Sequence, residues 1–245
     1  MEKFQEKIVI KSYQTNQYGK ASISALFHIM LEAAWAHAQI MDWGYDDLKN
    51  NNLFWVLSRF YLQVEKYPAW QDEITLNTWS AGTDGMYAYR EYIIEDSKGE
   101  IILKGSSAWL ILDMETRKIF RLSDYKATFP KRIDANACRN PKRIKPDLHS
   151  GDLNFYPVLF SDLDINKHFN SVKYVERVLD DFGIDFLNSH EPAELEVNYL
   201  KEAIAGDSIA VTRTQLSETE SMNCLVRESD GADLCVMRMV WRERK

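Results

Sequence analysis

The stretch Asp162-Leu163-Asp164-Ile165-Asn166-Lys167-His168-Phe169-Asn170-Ser171 packs two carboxylates, two amides and an imidazole into a polar turn that opens into an amphipathic run. These groups suit chemistry on a carbonyl. The start of a helix offers unpaired N–H donors and a partial positive charge, and an extended turn would aim alternate residues Asp164, Asn166 and His168 the same way.

A bland reading covers part of the pattern: Asn170 or Ser171 caps the helix, and Asp162 or Asp164 favours its positive end. It leaves Asn166 and His168 unexplained. A calcium loop does not fit, because Lys167 stands where the sixth position needs Gly and Lys173 where the twelfth needs a bidentate Glu. The five histidines, His28, His37, His149, His168 and His190, show neither an HExxH pair nor any close pairing. No metal and no other cofactor is expected. A second candidate is Glu202, near the end of a strand read from Ala193 to Ala203. If that strand passes the helix start, its carboxylate can act as a general base beside His168. A carboxylate near a strand end is otherwise solvated surface.

The elements that would position these groups repeat. Ile23, Leu26, Phe27, Met30, Leu31, Ala34, Trp35 and Ala38 recur at helical spacing between Ala21 and Met41, and Ala25, Ile29 and Ala33 fill much of the other face, so this helix is buried. Strands follow at roughly 53–66, 73–81, 86–96 and 101–114. The second half runs in the same order. Val172, Val175, Val178, Leu179, Phe182 and Phe186 mark one helix face, ahead of strands at roughly 194–204, 207–217, 222–229 and 233–243. Tyr61-Leu62 matches Tyr199-Leu200, and Asp72-Glu73-Ile74 matches Asp207-Ser208-Ile209. The fold class is therefore α+β: two tandem units, each a long central helix wrapped by an antiparallel sheet.

Composition sets the remaining bounds. A chain of 245 residues that is 45% hydrophobic holds a full core, and a net charge of −7 disfavours nucleic-acid binding carried by overall charge. Cys138, Cys224 and Cys235 form no CxxC pair and fit a reducing compartment. No signal segment is expected at the N-terminus, and no stretch approaches the roughly 18 apolar residues of a membrane span, so a cytoplasmic location is expected.

The run from Asp162 to Tyr174 closely resembles the D-x-D-x-N-x-H-V-N-N-x-K-Y signature of acyl-acyl carrier protein thioesterases. Ser106 to Lys118 resembles that family's S-x-W-x-x-x-x-x-x-T-R-[RK] segment. With the duplication, the likeness spans nearly the whole chain. It implies two fused hot-dog domains: residues 1–122 with the acyl-chain pocket, a basic connection over 123–150, and a catalytic domain over 151–245. It implies hydrolysis of the thioester between a fatty acyl chain and the phosphopantetheine arm of acyl carrier protein. No plastid transit extension is expected, which makes the chain similar to the compact bacterial members. Carried over by residue, Asp164 orients its neighbours, Asn166 and His168 position the thioester carbonyl or the water, and Glu202 polarises that water. Where plant relatives carry Cys after the glutamate, this chain has Ala203. A Cys-His nucleophile at that place is thereby excluded. Direct attack by water is expected, with N–H groups at the start of the second helix stabilising the oxyanion.

The first half lacks the D-x-N-x-H set and reads Thr15-Asn-Gln-Tyr-Gly-Lys20 at the corresponding place. Its helix offers Phe27, Met30, Leu31 and Trp35 as a wall for an acyl chain, against a plain reading in which most of them are core residues, and the resemblance implies that the acyl pocket lies in this half. Acyl carrier protein is acidic, so a basic dock is expected, and Lys126, Lys131, Arg132, Arg139, Lys142, Arg143 and Lys145 cluster around the connection with only Asp134 among them; a solvated linker charge run accounts for the cluster equally well. The competing readings are an acyl-CoA thioesterase or another hot-dog enzyme on acyl thioesters, and a non-catalytic module that binds acyl groups or acyl carrier protein. Oligomeric state stays open between a single chain and a homodimer formed through sheet edges.

Overall fold

Apolar residues at helical spacing after Ser22 form one long helix in the computed structural model, which describes residues 3–125, 129–130, 134–146 and 153–244. The chain divides into two units, Met1–Pro141 and Lys142–Lys245.

The first unit contains β1 (Phe4–Val9), α1 (Ile23–Ile40), α2 (Tyr45–Lys49), β2 (Leu53–Val64), β3 (Glu73–Thr83), β4 (Ala88–Asp96), β5 (Ile101–Asp113) and β6 (Ile119–Phe120). Its strands pair antiparallel in the order β1-β3-β4-β5-β2, with β6 against β5. The Ser22 hydroxyl caps α1 by accepting the Ala25 N–H at 3.1 Å. Phe27 and Met30 of α1 are fully buried, and the Phe27 ring lies 4.2 Å from that of Phe60 on β2. Gly105 of β5 faces the Met30 sulfur, where an added Cβ would make an ordinary van der Waals contact at 3.5 Å. Each such buried side chain contributes about 1.5–3 kcal/mol.

The second unit contains β7 (Tyr156–Pro157), α3 (Ser171–Phe182), α4 (Ile184–Ser189), β8 (His190–Tyr199), β9 (Ser208–Ser217), β10 (Glu220–Arg227) and β11 (Asp233–Glu243). Its antiparallel order is β7-β9-β10-β11-β8. The expected order of one helix and then four strands appears in both units. One pair of landmarks matches in detail: Asp72 accepts the Ala69 N–H at 2.7 Å just ahead of β3, and Asp207 accepts the Ile204 N–H at 2.9 Å just ahead of β9. The other pair is corrected, because the Glu65 N–H turns to the Ile102 carbonyl as the Leu200 N–H turns to that of Leu234, so Tyr199 stands at the place of Val64 and not of Tyr61.

Three local expectations are corrected. β1 was not foreseen, because it is an edge strand whose residues are mostly exposed and lack apolar alternation. Phe186 does not continue the face of α3, since Gly183, at φ +77°, ends that helix and starts α4. The strand read to Ala203 ends at Tyr199. The Leu200 and Lys201 N–H groups both turn to the Leu234 carbonyl, at 2.8 and 3.1 Å, which curls the chain off the sheet.

Residues on either side of Pro141 are held by buried polar groups of their own unit. The Ala137 N–H donates to Glu91 at 3.0 Å in the first unit, and the Lys142 and Ile144 N–H groups donate to Glu196 and Asn198 at 2.6 and 2.8 Å in the second.

Candidate active site

The polar turn is built by Asp164. Its Oδ1 accepts the N–H groups of Asn166 at 2.8 Å and His168 at 3.1 Å, while the Asp164 N–H donates to the His168 carbonyl at 2.8 Å. Lys167 at the tip adopts φ +63°, a left-handed conformation that the surrounding hydrogen bonds hold in place. The turn opens directly into α3, where the Asn170 side chain caps the helix by accepting the Val172 N–H at 2.9 Å.

The chain after β8 then brings Glu202 to this turn. His168 forms an isolated bridge with Ile204, and the Phe169 N–H donates to the Ala203 carbonyl at 2.8 Å. The Ala203 N–H donates to the Tyr174 hydroxyl of α3 at 3.2 Å. As a result His168 Nδ1 lies 3.4 Å from Glu202 Oε1, both side chains partly exposed. Asn166 is half-buried, and its side-chain amide bonds to no described residue. Asp164, Asn166, His168 and Glu202 are thus assembled within one unit. Asp164 acts through the backbone of its neighbours.

The expected oxyanion donors at the helix start are corrected in part. The Val172 N–H is taken by the Asn170 side chain, and the Lys173 N–H by the Asn170 carbonyl at 2.9 Å. Those two groups are not free for a substrate.

Sequence reasoning missed three arginines. Arg177 on α3 reaches both oxygens of the buried Asp162, at 3.0 and 3.3 Å, and ties the turn to the helix that follows it. Arg227 reaches the Glu202 carbonyl and Asp207 Oδ2, each at 3.3 Å, and fixes the loop that carries Glu202. The third, Arg90, is described with the cleft below. A spacing of fifteen residues between Asp162 and Arg177 on different elements gives no periodic signal to find.

The first unit holds the same turn without the reactive side chains. Asn16 Oδ1 accepts the Tyr18 N–H at 3.0 Å and the Lys20 N–H at 3.3 Å, Gly19 adopts φ +66°, and the Ala21 N–H donates to the Pro68 carbonyl at 2.8 Å. Tyr18 and Lys20 therefore stand where Asn166 and His168 stand in the second unit.

The first unit also contains a largely apolar cleft, partly open to solvent, among Trp35, Trp43, Trp55, Trp109, Phe129 and Arg90. Of the four residues named for an acyl pocket, Trp35 lines this cleft. Phe27, Met30 and Leu31 do not, because α1 turns Phe27 and Met30 fully into the core and the cleft begins one turn further along, at Ala34. Arg90 is 7% exposed, and its Nη1 contacts His37 Nδ1 at 2.9 Å and Thr78 Oγ1 at 3.2 Å. Burial pushes its pKa down. The segment from Ser106 to Lys118 mainly builds this unit: Asp113 holds the turn after β5 through the N–H groups of Glu115 and Thr116, and Trp109 walls the cleft.

Of the expected dock, Lys131 and Arg132 lie outside the described residues, as does Lys126. Arg139 is half-buried, with its guanidinium 3.7 Å from the centre of the Tyr61 ring. Lys142, Arg143 and Lys145 are exposed. Among the described residues no helix is long and apolar enough to cross a membrane, and no group of three or more His, Cys, Asp or Glu is placed to hold a metal.

Comparisons with known proteins agree with this architecture. The palmitoyl-acyl carrier protein thioesterase of Gossypium hirsutum is 28% identical over 267 residues, covering 98% of this chain and 64% of that protein. The oleoyl-acyl carrier protein thioesterase 2 of Arabidopsis thaliana is 25% identical over 250 residues, covering 94% and 66%. The chain thus spans about two thirds of the length of these curated relatives. Among solved structures, an acyl-ACP thioesterase from Bacteroides thetaiotaomicron superposes with a TM-score of 0.84 at 24% identity, covering 98% of each chain. The 12:0-ACP thioesterase from Umbellularia californica superposes at 0.85 and 22%, covering 99% of this chain and 98% of that one. These likenesses establish the fold, two hot-dog units in tandem. Residues 1–128 match the acyl-ACP thioesterase N-terminal domain and residues 146–243 the acyl-ACP thioesterase C-terminal domain, so the chain belongs to the acyl-ACP thioesterase family.

Proposed function

We propose that this chain hydrolyses the thioester of a fatty acyl group carried on acyl carrier protein, releasing free fatty acid and the carrier's pantetheine thiol. The observation that carries this reading is the pairing of His168 Nδ1 with Glu202 Oε1 at 3.4 Å beside the unbonded Asn166 amide, on a turn held by Asp164.

Glu202 takes a proton from a water molecule as its oxygen attacks the acyl carbon. The Asn166 amide donates to the oxygen that becomes negative, a role supported by the commitment of the Val172 and Lys173 N–H groups to Asn170. His168 holds Glu202 and the water in line. The tetrahedral adduct then expels the pantetheine thiolate, which recovers the proton from Glu202, so the reaction adds one water and forms one acid and one thiol. General-base action accounts for about 10²–10⁴-fold and one oxyanion donor for about 10²–10³-fold. No thiol serves as nucleophile, since Ala203 follows Glu202 and the three cysteines are elsewhere.

The apolar cleft of the first unit takes the acyl chain, a reading supported by its four tryptophans. Unpaired thiols at Cys138, Cys224 and Cys235 support a reducing, cytoplasmic setting. The test is release of free thiol from matched acyl-carrier and acyl-CoA substrates. Faster turnover of the carrier-linked series is expected. Turnover of acyl-CoA alone would move the assignment to an acyl-CoA thioesterase, and tight binding of acyl carrier without hydrolysis would make the chain a binding module.

A further inference from the structure

The turns around the candidate site expose large apolar side chains that the chemistry does not use. Phe160 is 94% exposed, Ile165 76% and Ile204 50%. All three project from one hydrogen-bonded cluster: the Leu163 N–H donates to the Phe160 carbonyl at 3.3 Å, Ile165 lies within the turn closed by Asp164, and Ile204 bridges to His168. Exposed apolar groups gathered at one place mark an interaction surface.

Charge indicates what covers them. Lys167 stands at the tip of the same turn and Lys201 directly ahead of Glu202; both are exposed, and neither forms an ion pair with a described carboxylate. An apolar crest flanked by two exposed lysines fits an acidic protein with an apolar face. The first unit, which has the same turn but no catalytic set, carries Ser12, Gln17 and Ala69 at the positions of Phe160, Ile165 and Ile204, while its exposed Tyr13 and Trp70 each lie one residue further along, the Trp70 N–H donating to the Gly19 carbonyl at 2.8 Å.

We propose that Phe160, Ile165 and Ile204, with Lys167 and Lys201, form the docking surface for acyl carrier protein, so that the carrier seats against the turns that hold His168 and Glu202 and not on the basic connection. This rests on the carrier-linked substrate proposed above. Seating the carrier here delivers its thioester to the neighbouring site, while the half-buried Arg139, stacked on Tyr61, offers a charged partner little.

The experiment compares wild type with Phe160→Ser, Lys201→Glu and the double variant Lys142→Glu/Arg143→Glu. The substrates are acyl carrier protein and the matching acyl-pantetheine, and anisotropy of a fluorescently labelled acyl carrier protein gives binding independently. Phe160 is almost wholly exposed, so its replacement leaves the core intact. We expect Phe160→Ser and Lys201→Glu each to raise KM for the carrier substrate at least tenfold more than KM for acyl-pantetheine, and to weaken carrier binding to match. The connection variant shifts that ratio less than threefold. A large shift in the connection variant with none in the crest variants overturns the proposal, as does an equal shift for both substrates. Should wild type hydrolyse neither substrate, the thioesterase reading fails and the anisotropy series alone decides the docking surface.

Discussion

Asp164 and Asn16 hold two copies of the same turn. Each accepts two backbone N–H groups through one side-chain oxygen, from Asn166 and His168 in the second unit and from Tyr18 and Lys20 in the first. The chain itself thereby supplies the control for a substitution at Asp164. Asp164→Asn keeps an acceptor oxygen and should leave the thermal midpoint within about 2 °C of wild type. Asp164→Ala strands both N–H groups and should cost about 1–2 kcal/mol. Thermal unfolding of the two variants checks this, and equal losses in both would show that the carboxylate charge, not the acceptor, holds the turn.

Arg177 should matter to stability more than its position suggests. Its partner Asp162 is 3% exposed and also accepts the Leu159 N–H at 2.9 Å, so Arg177→Met leaves a buried carboxylate with one partner fewer. A loss of roughly 2–4 kcal/mol is expected in denaturant titration. Adding Asp162→Asn should recover part of it, because the uncompensated charge is gone.

The cysteines should be unreactive in the folded chain. Burial, aided by Glu91, pushes the Cys138 thiol from 9.0 up to about 12, and burial also raises Cys224, beside Asp233, and Cys235. A raised thiol pKa favours folding below the unfolded value and loses that contribution as the pH climbs past it. Native alkylation by iodoacetamide at pH 8 should therefore be at least tenfold slower than in denaturant, and stability should decline from about pH 9 upward. Rapid native labelling of any of the three would contradict this.

Much of this architecture was legible because periodicity and duplication are long-range signals. The landmarks Asp72 and Asp207 sit at matching places in both units, and the helix over Ile23–Ile40 follows from its apolar spacing. The candidate site was legible because Asp164, Asn166 and His168 lie within five residues. What was hidden depends on contacts between distant segments. The Asp162–Arg177 and Arg227–Glu202 links leave no pattern in the chain, and β1 escaped because an edge strand needs no alternation. Core and cleft could not be told apart at Phe27, Met30 and Trp35 because all three are apolar, and only the helix's rotation buries the first two and leaves Trp35 on the cleft.

The most direct test of the proposed chemistry is steady-state thiol release from acyl carrier protein by wild type beside His168→Ala and Glu202→Gln, with melting curves for all three. The pairing of His168 Nδ1 with Glu202 Oε1 predicts that both variants fold normally and that each lowers kcat by about 10²-fold or more. Near-normal kcat in Glu202→Gln would contradict the base-assisted attack of water on which the account rests.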